Sequence, residues 1–253
     1  MLYIFYKMGL IKSLKKKLYK FKFSNKFKEN EIINKRIIVT GSNSGIGLAF
    51  IDLLIKKNKI IGIANKSSEN LEKFNNDNLR VINLDLSRIN EIQKIKNIIE
   101  DFKPNILINC AAVFGNENQN IDNYNSDDFV NTFKINCIAV LELSKISIND
   151  KLEQIVNISS QMGSIFSNDS GNYYIYKTTK ASLNMITKLM SFDLEKKNVI
   201  VFAVDPGNVK TKLNSGGYLD PKVSVSNILD LIQEQNKELN GCFLSLDGKQ
   251  LKW

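Results

Sequence analysis

Between residues 36 and 246, short apolar runs alternate with longer amphipathic segments, and that alternation sets the expected architecture. The runs at 36–40, 59–64, 79–83, 105–109, 154–158, 199–204 and 242–246 read as strands. Their Ile, Val and Leu residues occupy consecutive positions rather than alternate ones, which is the pattern of strands covered on both faces by helices. Six helical segments lie between them, including 46–57, 88–102, 127–147, 173–196 and 223–235. Repeated strand-helix units predict an α/β fold with a doubly wound, mostly parallel, seven-stranded sheet and helices on both faces. In such sheets ligands bind outside the carboxyl ends of the strands. A chain of 253 residues with 43% hydrophobic content can bury the core of one large domain, expected over 35–253. No internal repeat or linker interrupts it, only Asn-rich loops such as 116–125.

The first 34 residues form a separate extension. Residues 1–30 hold nine lysines against the single acid Glu29, so they carry +8 of the formal +9 and leave the rest near neutral at +1. The charge therefore gives no support for nucleic-acid binding by the folded body. Leu10, Leu14, Leu18 and Phe21 fall on one helical face among those lysines, the pattern of a basic helix that could lie on a membrane surface. The segment is too short and too charged to span a bilayer, and it lacks the cleavage site of a secretory signal. A solvated extension, a membrane-surface contact and a targeting segment all remain open, although the lack of Arg is unusual for a mitochondrial transit peptide. Vesicle co-sedimentation of the full chain against one starting at Glu31 separates the first two.

Absences narrow the chemistry. The chain has no histidine, which removes His-based triads, His general acids and bases, and His-ligated metals. Cys110, Cys137 and Cys242 are far apart, form no CxxC and sit in apolar runs, so free thiols in a reducing, cytoplasmic setting are expected, with no metal site.

The chemical content concentrates in Asn157 to Lys180. Tyr176 precedes Lys180 by four residues, which places a phenol and an ammonium on one helical face. At ~5 Å and an effective dielectric near 20 their attraction is roughly 3 kcal/mol, enough to bring a phenol pKa of about 10 down by ~2. Tyr173 and Lys177 share the same spacing, so two registers compete. The Tyr176 register continues through Leu183 and Thr187 toward Met190 and Leu194, whereas the Tyr173 register runs through Lys177, Ala181 and Asn184, a more polar stripe. The former is adopted.

At the other end of the first strand, residues 40–47 read ThrGlySerAsnSerGlyIleGly and lead into a helix. Gly41, Gly45 and Gly47 allow the tight turn, close backbone approach and helix–strand contact that a pyrophosphate on a helix N-terminus requires.

Taken together, these segments resemble the short-chain dehydrogenase/reductase family over residues 36–253, most of all the carbonyl-reductase-like branch that includes sniffer and the C-factor proteins. The resemblance implies a Rossmann-type fold and a catalytic set of Asn136, Ser160, Tyr176 and Lys180. It also implies a dinucleotide held by Gly41, Ser44, Gly45, Ile46, Gly47, Asp85, Leu86, Asn109, Ala111, Tyr176 and Lys180. Pro206, Gly207, Val209 and Thr211 match the segment that closes over the nicotinamide. One departure is local: where the family usually has AsnAsnAlaGly, this chain has Asn109-Cys110-Ala111-Ala112, and the added methyl is tolerable if the φ of Ala112 is negative. At the end of the second strand no acid is present to hold a ribose 2′-hydroxyl and Lys66 can meet a 2′-phosphate, so NADP(H) is favoured over NAD(H).

The implied reaction is hydride transfer between a nicotinamide and a small-molecule carbonyl or alcohol. In it Tyr176 gives its proton to the developing alkoxide, Ser160 donates a hydrogen bond to the same oxygen, and Lys180 binds ribose and lowers the Tyr176 pKa. Asn136 is expected to support a water leading from Lys180. Tyr218, Leu213, Met162 and Phe166 are candidate walls of the substrate site. A homodimer or homotetramer is left open. Two rivals remain: a dinucleotide-binding signalling or scaffold protein with incidental turnover, and a membrane-surface reductase of a lipid-linked carbonyl.

Overall fold

The computed structural model describes residues 31–66, 69–74, 76–117 and 119–253, so the basic segment within 1–30 lies outside it. Seven strands, β1 (Arg36–Thr40), β2 (Lys59–Ala64), β3 (Leu79–Asn83), β4 (Ile106–Asn109), β5 (Gln154–Ile158), β6 (Ile200–Val204) and β7 (Phe243–Leu244), form one sheet. The order is β3-β2-β1-β4-β5-β6-β7 and every neighbouring pair is parallel. The helices are α1 (Gly45–Leu54), α2 (Glu69–Glu72), α3 (Ile89–Ile92), α4 (Lys96–Phe102), α5 (Ser126–Phe133), α6 (Ala139–Ser147), α7 (Tyr174–Asp193) and α8 (Pro221–Gln233).

The strand pleat divides the apolar residues between two cores. Ile37 and Val39 of β1 pack with Phe50, Ile51 and Leu54 of α1 and with Ile228, Leu229 and Ile232 of α8. Ile38, between them, points the other way and joins Ile99 of α4, Leu143 of α6 and Met190 of α7. This is why apolar runs without alternation mark the central strands. At β3 the rule fails: this strand is at the sheet edge, and Arg80, Val81 and Asn83 are exposed.

Several expected helices differ at their ends or middles. The segment expected at 88–102 is broken by a 3₁₀ turn at Gln93–Ile95. The segment at 127–147 contains a π-turn, Lys134–Ile138, in which the Ala139 N–H reaches back five residues to the Lys134 carbonyl. Helix α8 starts two residues earlier than the pattern suggests, because Pro221 suits the first helical position and Asp220 caps it by accepting from the Lys222 N–H at 2.8 Å. Packing also begins before residue 35: Ile32 is buried, its carbonyl accepts from Asn58 Nδ2 at 2.8 Å, and the Asn34 N–H donates to the Lys57 carbonyl.

From β1 the chain passes through α1 to β2 on one side, while β4 arrives later on the other, pairing Ile37 with Ile106 and Val39 with Ile108. The order reverses here, and the crevice above the ends of β1 and β4 is the expected ligand site of such a sheet. Among the described residues, no helix is long and apolar enough to cross a membrane and no group of three or more Cys, Asp or Glu is placed to hold a metal ion.

Candidate active site

The crevice opens with the β1–α1 turn. Gly41 has φ +66°, and a Cβ there would lie 2.8 Å from the Cα of Ala111; one on Gly47 would lie 2.2 Å from the Gly41 carbonyl oxygen. Neither position admits a side chain without moving backbone. Ser44 precedes α1 but makes no side-chain cap bond, and the first turn of α1 has no acid. The positive end of the helix therefore faces a cavity of about 400 Å³ without an anion from its own first turn. Gly41, Ser44, Gly45, Ile46, Gly47, Asp85, Leu86, Ala111 and Thr211 line that cavity, together with Asn43, Asn65 and Asn70. Asp85 accepts from the Ser87 hydroxyl at 2.7 Å and N–H at 2.9 Å, and these bonds hold its carboxyl below the usual range. Ala112 is not among the residues with positive φ, so its methyl is accommodated.

Two expected cofactor residues, Asn109 and Lys66, are not in the lining of this cavity. Asn109 is buried in the sheet and donates to Asn157 Oδ1 at 2.9 Å rather than lining either cavity; Asn157 in turn donates to Thr187 of α7. Lys66 is exposed beside the cavity, with its carbonyl accepting from Asn43 Nδ2, and its neighbour Asn65 forms the wall. The β4 exit is fixed instead by Thr40, whose hydroxyl accepts from the N–H groups of Cys110 and Ala111, each at 2.9 Å.

A second cavity of about 570 Å³ shares Ile46, Cys110, Ala112, Thr211 and Leu213 with the first, making one long two-part crevice. Ser160, Tyr176 and Lys180 line it, as do Pro206, Gly207, Val209, Met162, Leu213 and Tyr218. Phe166 does not: it is 68% exposed, under the Lys252 ammonium, and its N–H donates to the Trp253 carbonyl. The two tyrosine registers part in burial. Tyr176 and Lys180 are buried, whereas Tyr173 is 42% exposed and Lys177 ties down the preceding loop through Asn168 Oδ1 and the Ser170 carbonyl.

The electrostatics of the pair differ from expectation. Burial pushes the Tyr176 phenol well above its ordinary range, the Asp205 carboxylate adds to the rise, and a hydrogen bond with Ser160 pulls the other way. The Lys180 ammonium lies 5.7 Å from the ring centroid and donates to the Ile158 carbonyl at 2.8 Å. Burial lowers Lys180 to about 8, partly offset by Cys110, Cys137 and Asp205. Burial is thus the leading influence on both groups, raising the phenol and lowering the ammonium.

Asn136 uses every hydrogen-bonding atom of its side chain within the protein. Its Oδ1 accepts from the Val113 N–H at 3.0 Å, while its Nδ2 donates to the Val113 carbonyl at 2.9 Å and to Thr179 Oγ1 at 3.0 Å. The side chain is thus occupied in linking the β4 exit loop to α7, one residue before Lys180, and lines neither cavity. The π-turn buries Asn136 and Cys137 side by side. Two residues that the sequence reading passed over belong to the site. Asp205 lines the second cavity and accepts from the Gln161 N–H at 3.0 Å; it directly precedes Pro206-Gly207, which was its only sequence signal. Phe114, from the loop after β4, lies with its ring centroid 4.7 Å from that of Tyr176.

This arrangement can be compared with known proteins. The family model for short chain dehydrogenases matches residues 35–219. The chain belongs to the short-chain dehydrogenase family. Among relatives of this short-chain dehydrogenase, the C-signal protein of Myxococcus xanthus is 30% identical over 131 residues, 50% of this chain and 79% of that one. An uncharacterized oxidoreductase of Staphylococcus aureus is 28% identical over 194 residues, 73% of this chain and 82% of its own. Among solved structures, the carbonyl reductase Sniffer of D. melanogaster superposes with a TM-score of 0.79 at 26% identity, covering 87% of this chain and all of that one. An NADPH-bound carbonyl reductase from chicken fatty liver gives 0.76 at 27%, over 88% of this chain and 100% of its own. A 4-hydroxyisoleucine dehydrogenase complexed with NADH gives 0.75 at 26%, over 85% and 98%. The protein is therefore an oxidoreductase of this family.

Proposed function

We propose that this short-chain dehydrogenase interconverts a carbonyl and an alcohol on a small molecule, using NADP(H), with Tyr176 as the proton-carrying residue. The observation that carries the reading is the joined crevice: a glycine-walled helix N-terminus opens the first cavity, and Ser160, Tyr176 and Lys180 share the second.

A nicotinamide bound along this crevice supplies or takes up the hydride. The chain's part is to hold it and to manage the proton. Gly41, Gly45 and Gly47 bring backbone N–H groups and the α1 N-terminus to a pyrophosphate, and Asp85 and Leu86 wall the adenine end. Lys66 would meet a 2′-phosphate, Ser44 stands where the family often has a second base, and the lack of an acid at the end of β2 favours the phosphorylated cofactor. The NADPH-bound carbonyl reductase from chicken supports this choice; the NADH-bound 4-hydroxyisoleucine dehydrogenase keeps NAD(H) as the competitor to be tested. Pro206, Gly207, Val209 and Thr211 close the nicotinamide end.

In reduction Tyr176 gives its proton to the substrate oxygen while Ser160 donates a hydrogen bond to that oxygen and holds it in place. A phenol raised above its usual range stays protonated at neutral pH, which suits the acid's role in the reducing direction. Lys180 adds positive charge beside the developing negative oxygen, and Asn136, through Val113 and Thr179, holds α7 against the β4 loop. The test is a panel of carbonyl compounds followed by NADPH absorbance, with Tyr176→Phe as control. That variant should bind NADPH as the parent does and lose most of its turnover; full turnover in Tyr176→Phe overturns the assignment.

A further inference from the structure

Helix α7 begins without a cap of its own. Asn172 and Tyr173 both take left-handed backbone conformations, with φ +67° and +56°, and Tyr173, at the N-cap position, makes no side-chain cap bond. Non-glycine residues hold such angles only where the surroundings impose them. The first intrahelical bond runs from the Lys177 N–H to the Tyr173 carbonyl at 2.8 Å, so the N–H groups of the opening turn need acceptors from elsewhere.

Gln119, 54 residues before Tyr173 and on the Asn-rich loop after β4, supplies two of them. Its backbone carbonyl accepts from the Tyr174 N–H at 3.0 Å, and its side-chain Oε1 accepts from the Tyr176 N–H at 3.0 Å. The amide nitrogen donates to the carbonyls of Phe114 at 2.8 Å and Asn116 at 2.7 Å. Only this orientation of the amide works, because flipping it would set oxygen against two carbonyls and nitrogen against an N–H. Gln119 is 2% exposed, and every hydrogen-bonding atom of the side chain is engaged. Phe114, whose carbonyl it binds, has its ring against those of both Tyr176 and Tyr173.

We infer that Gln119 is a positioning residue for Tyr176: it acts as the remote N-cap of α7 and sets the height of the phenol in the substrate cavity. The inference rests on the role proposed for Tyr176. A carboxylate could keep the acceptor but not the two donors, and a shorter amide could not span the loop and the helix, which is why a glutamine stands here. The competing account makes Gln119 a staple for the loop alone, with no bearing on the phenol.

Two measurements separate these accounts. The first needs no turnover: in amide hydrogen exchange of the full chain, Gln119→Met should lose protection at Tyr176, while Gln119→Glu, which keeps the acceptor, should retain more of it. Unchanged protection at Tyr176 in Gln119→Met overturns the proposal. The second follows para-nitrobenzaldehyde reduction by NADPH. Gln119→Met should lose on the order of ten- to a hundredfold in kcat, as expected for a shift approaching 1 Å at a reacting group, with NADPH affinity within about twofold of the parent. In a Tyr176→Phe background the same substitution should change residual turnover by less than about twofold, because the group it positions is gone. Loss by the full factor in that background identifies a general structural role and overturns positioning. If Tyr176→Phe alone keeps full turnover, the proposed function itself fails; if Tyr176→Phe is inactive and Gln119→Met is not, only the positioning role fails.

Discussion

Gly163 gives the most exacting test of how tightly the site is built. It ends the 3₁₀ turn Gln161–Gly163 that follows Ser160 and lies directly on α7 at Lys180. A Cβ placed on it would be 2.6 Å from the Lys180 carbonyl carbon, 2.8 Å from the Lys180 Cβ and 2.9 Å from the Ala181 nitrogen. None of these atoms can swing aside, because each belongs to the helix backbone or is fixed to it. Reaching ordinary contact at 3.4 Å from the first requires a retreat of about 0.8 Å. Overpacking of this kind costs about 1–3 kcal/mol, and at roughly 2–4 °C per kcal/mol for a chain of this size Gly163→Ala should lower Tm by about 2–12 °C. The turn that moves carries Ser160, while Tyr176 stays with α7. A misplacement near 1 Å between groups that act on one oxygen costs on the order of a hundredfold, so kcat should fall by ten- to a hundredfold. Thermal melting and NADPH-coupled turnover read both effects on one preparation. Gly171→Ala is the control, since nothing lies within 4 Å of its added Cβ, and it should change neither quantity. A Gly163→Ala protein with Tm within about 1 °C of the parent and full turnover would refute the packing argument.

Two further predictions concern charge. Lys180 is lowered to about 8, so its cation is present below that pH and is lost above it; Tyr176, pushed upward, stays protonated across the same range. Reduction should therefore decline as pH rises through about 8, and Lys180→Arg, whose guanidinium keeps its charge, should move the decline out of that range in whatever activity it retains. A decline that first appears in the ordinary tyrosine range, or one unmoved in Lys180→Arg, contradicts this. For the cofactor, Lys66→Ala should weaken NADPH binding by up to about fivefold, the worth of one exposed ionic contact, and leave NADH unchanged. Equal effects on the two cofactors in fluorescence titrations would remove Lys66 from the 2′-phosphate site.

The parts of this fold that were legible in the sequence are those where one local rule acts alone. Residues 36–40, 59–64, 79–83 and 154–158 are strands over the expected bounds because a run of Ile and Val between turn residues has few other outcomes. Legibility ended where distant segments decide. The π-turn at Lys134–Ile138 coincides with the bonds of Asn136 to Val113 and Thr179, and nothing in the residues 134–138 announces it. Gln119 was hidden for the same reason, being one polar residue in a polar loop until α7 is brought to it. The electrostatics of Tyr176 and Lys180 lie beyond the sequence for a related reason: spacing along a helix gives a distance but not the loss of water, the leading influence on both groups.

The two edges of the sheet bear on how copies of this protein can associate. At one end β3 is a short edge strand with the exposed Arg80 on it; at the other β7 has only two residues, and the chain turns back so that Leu251 N–H donates to the Phe243 carbonyl and Gln250 bridges Leu244 in antiparallel fashion. A charged side chain on one border and an occupied hydrogen-bonding row on the other are devices that stop strands from pairing between molecules. Both borders therefore discourage strand pairing between copies, and the exposed apolar surface lies instead on α7, where Met185, Leu189 and Phe192 face outward on one stripe.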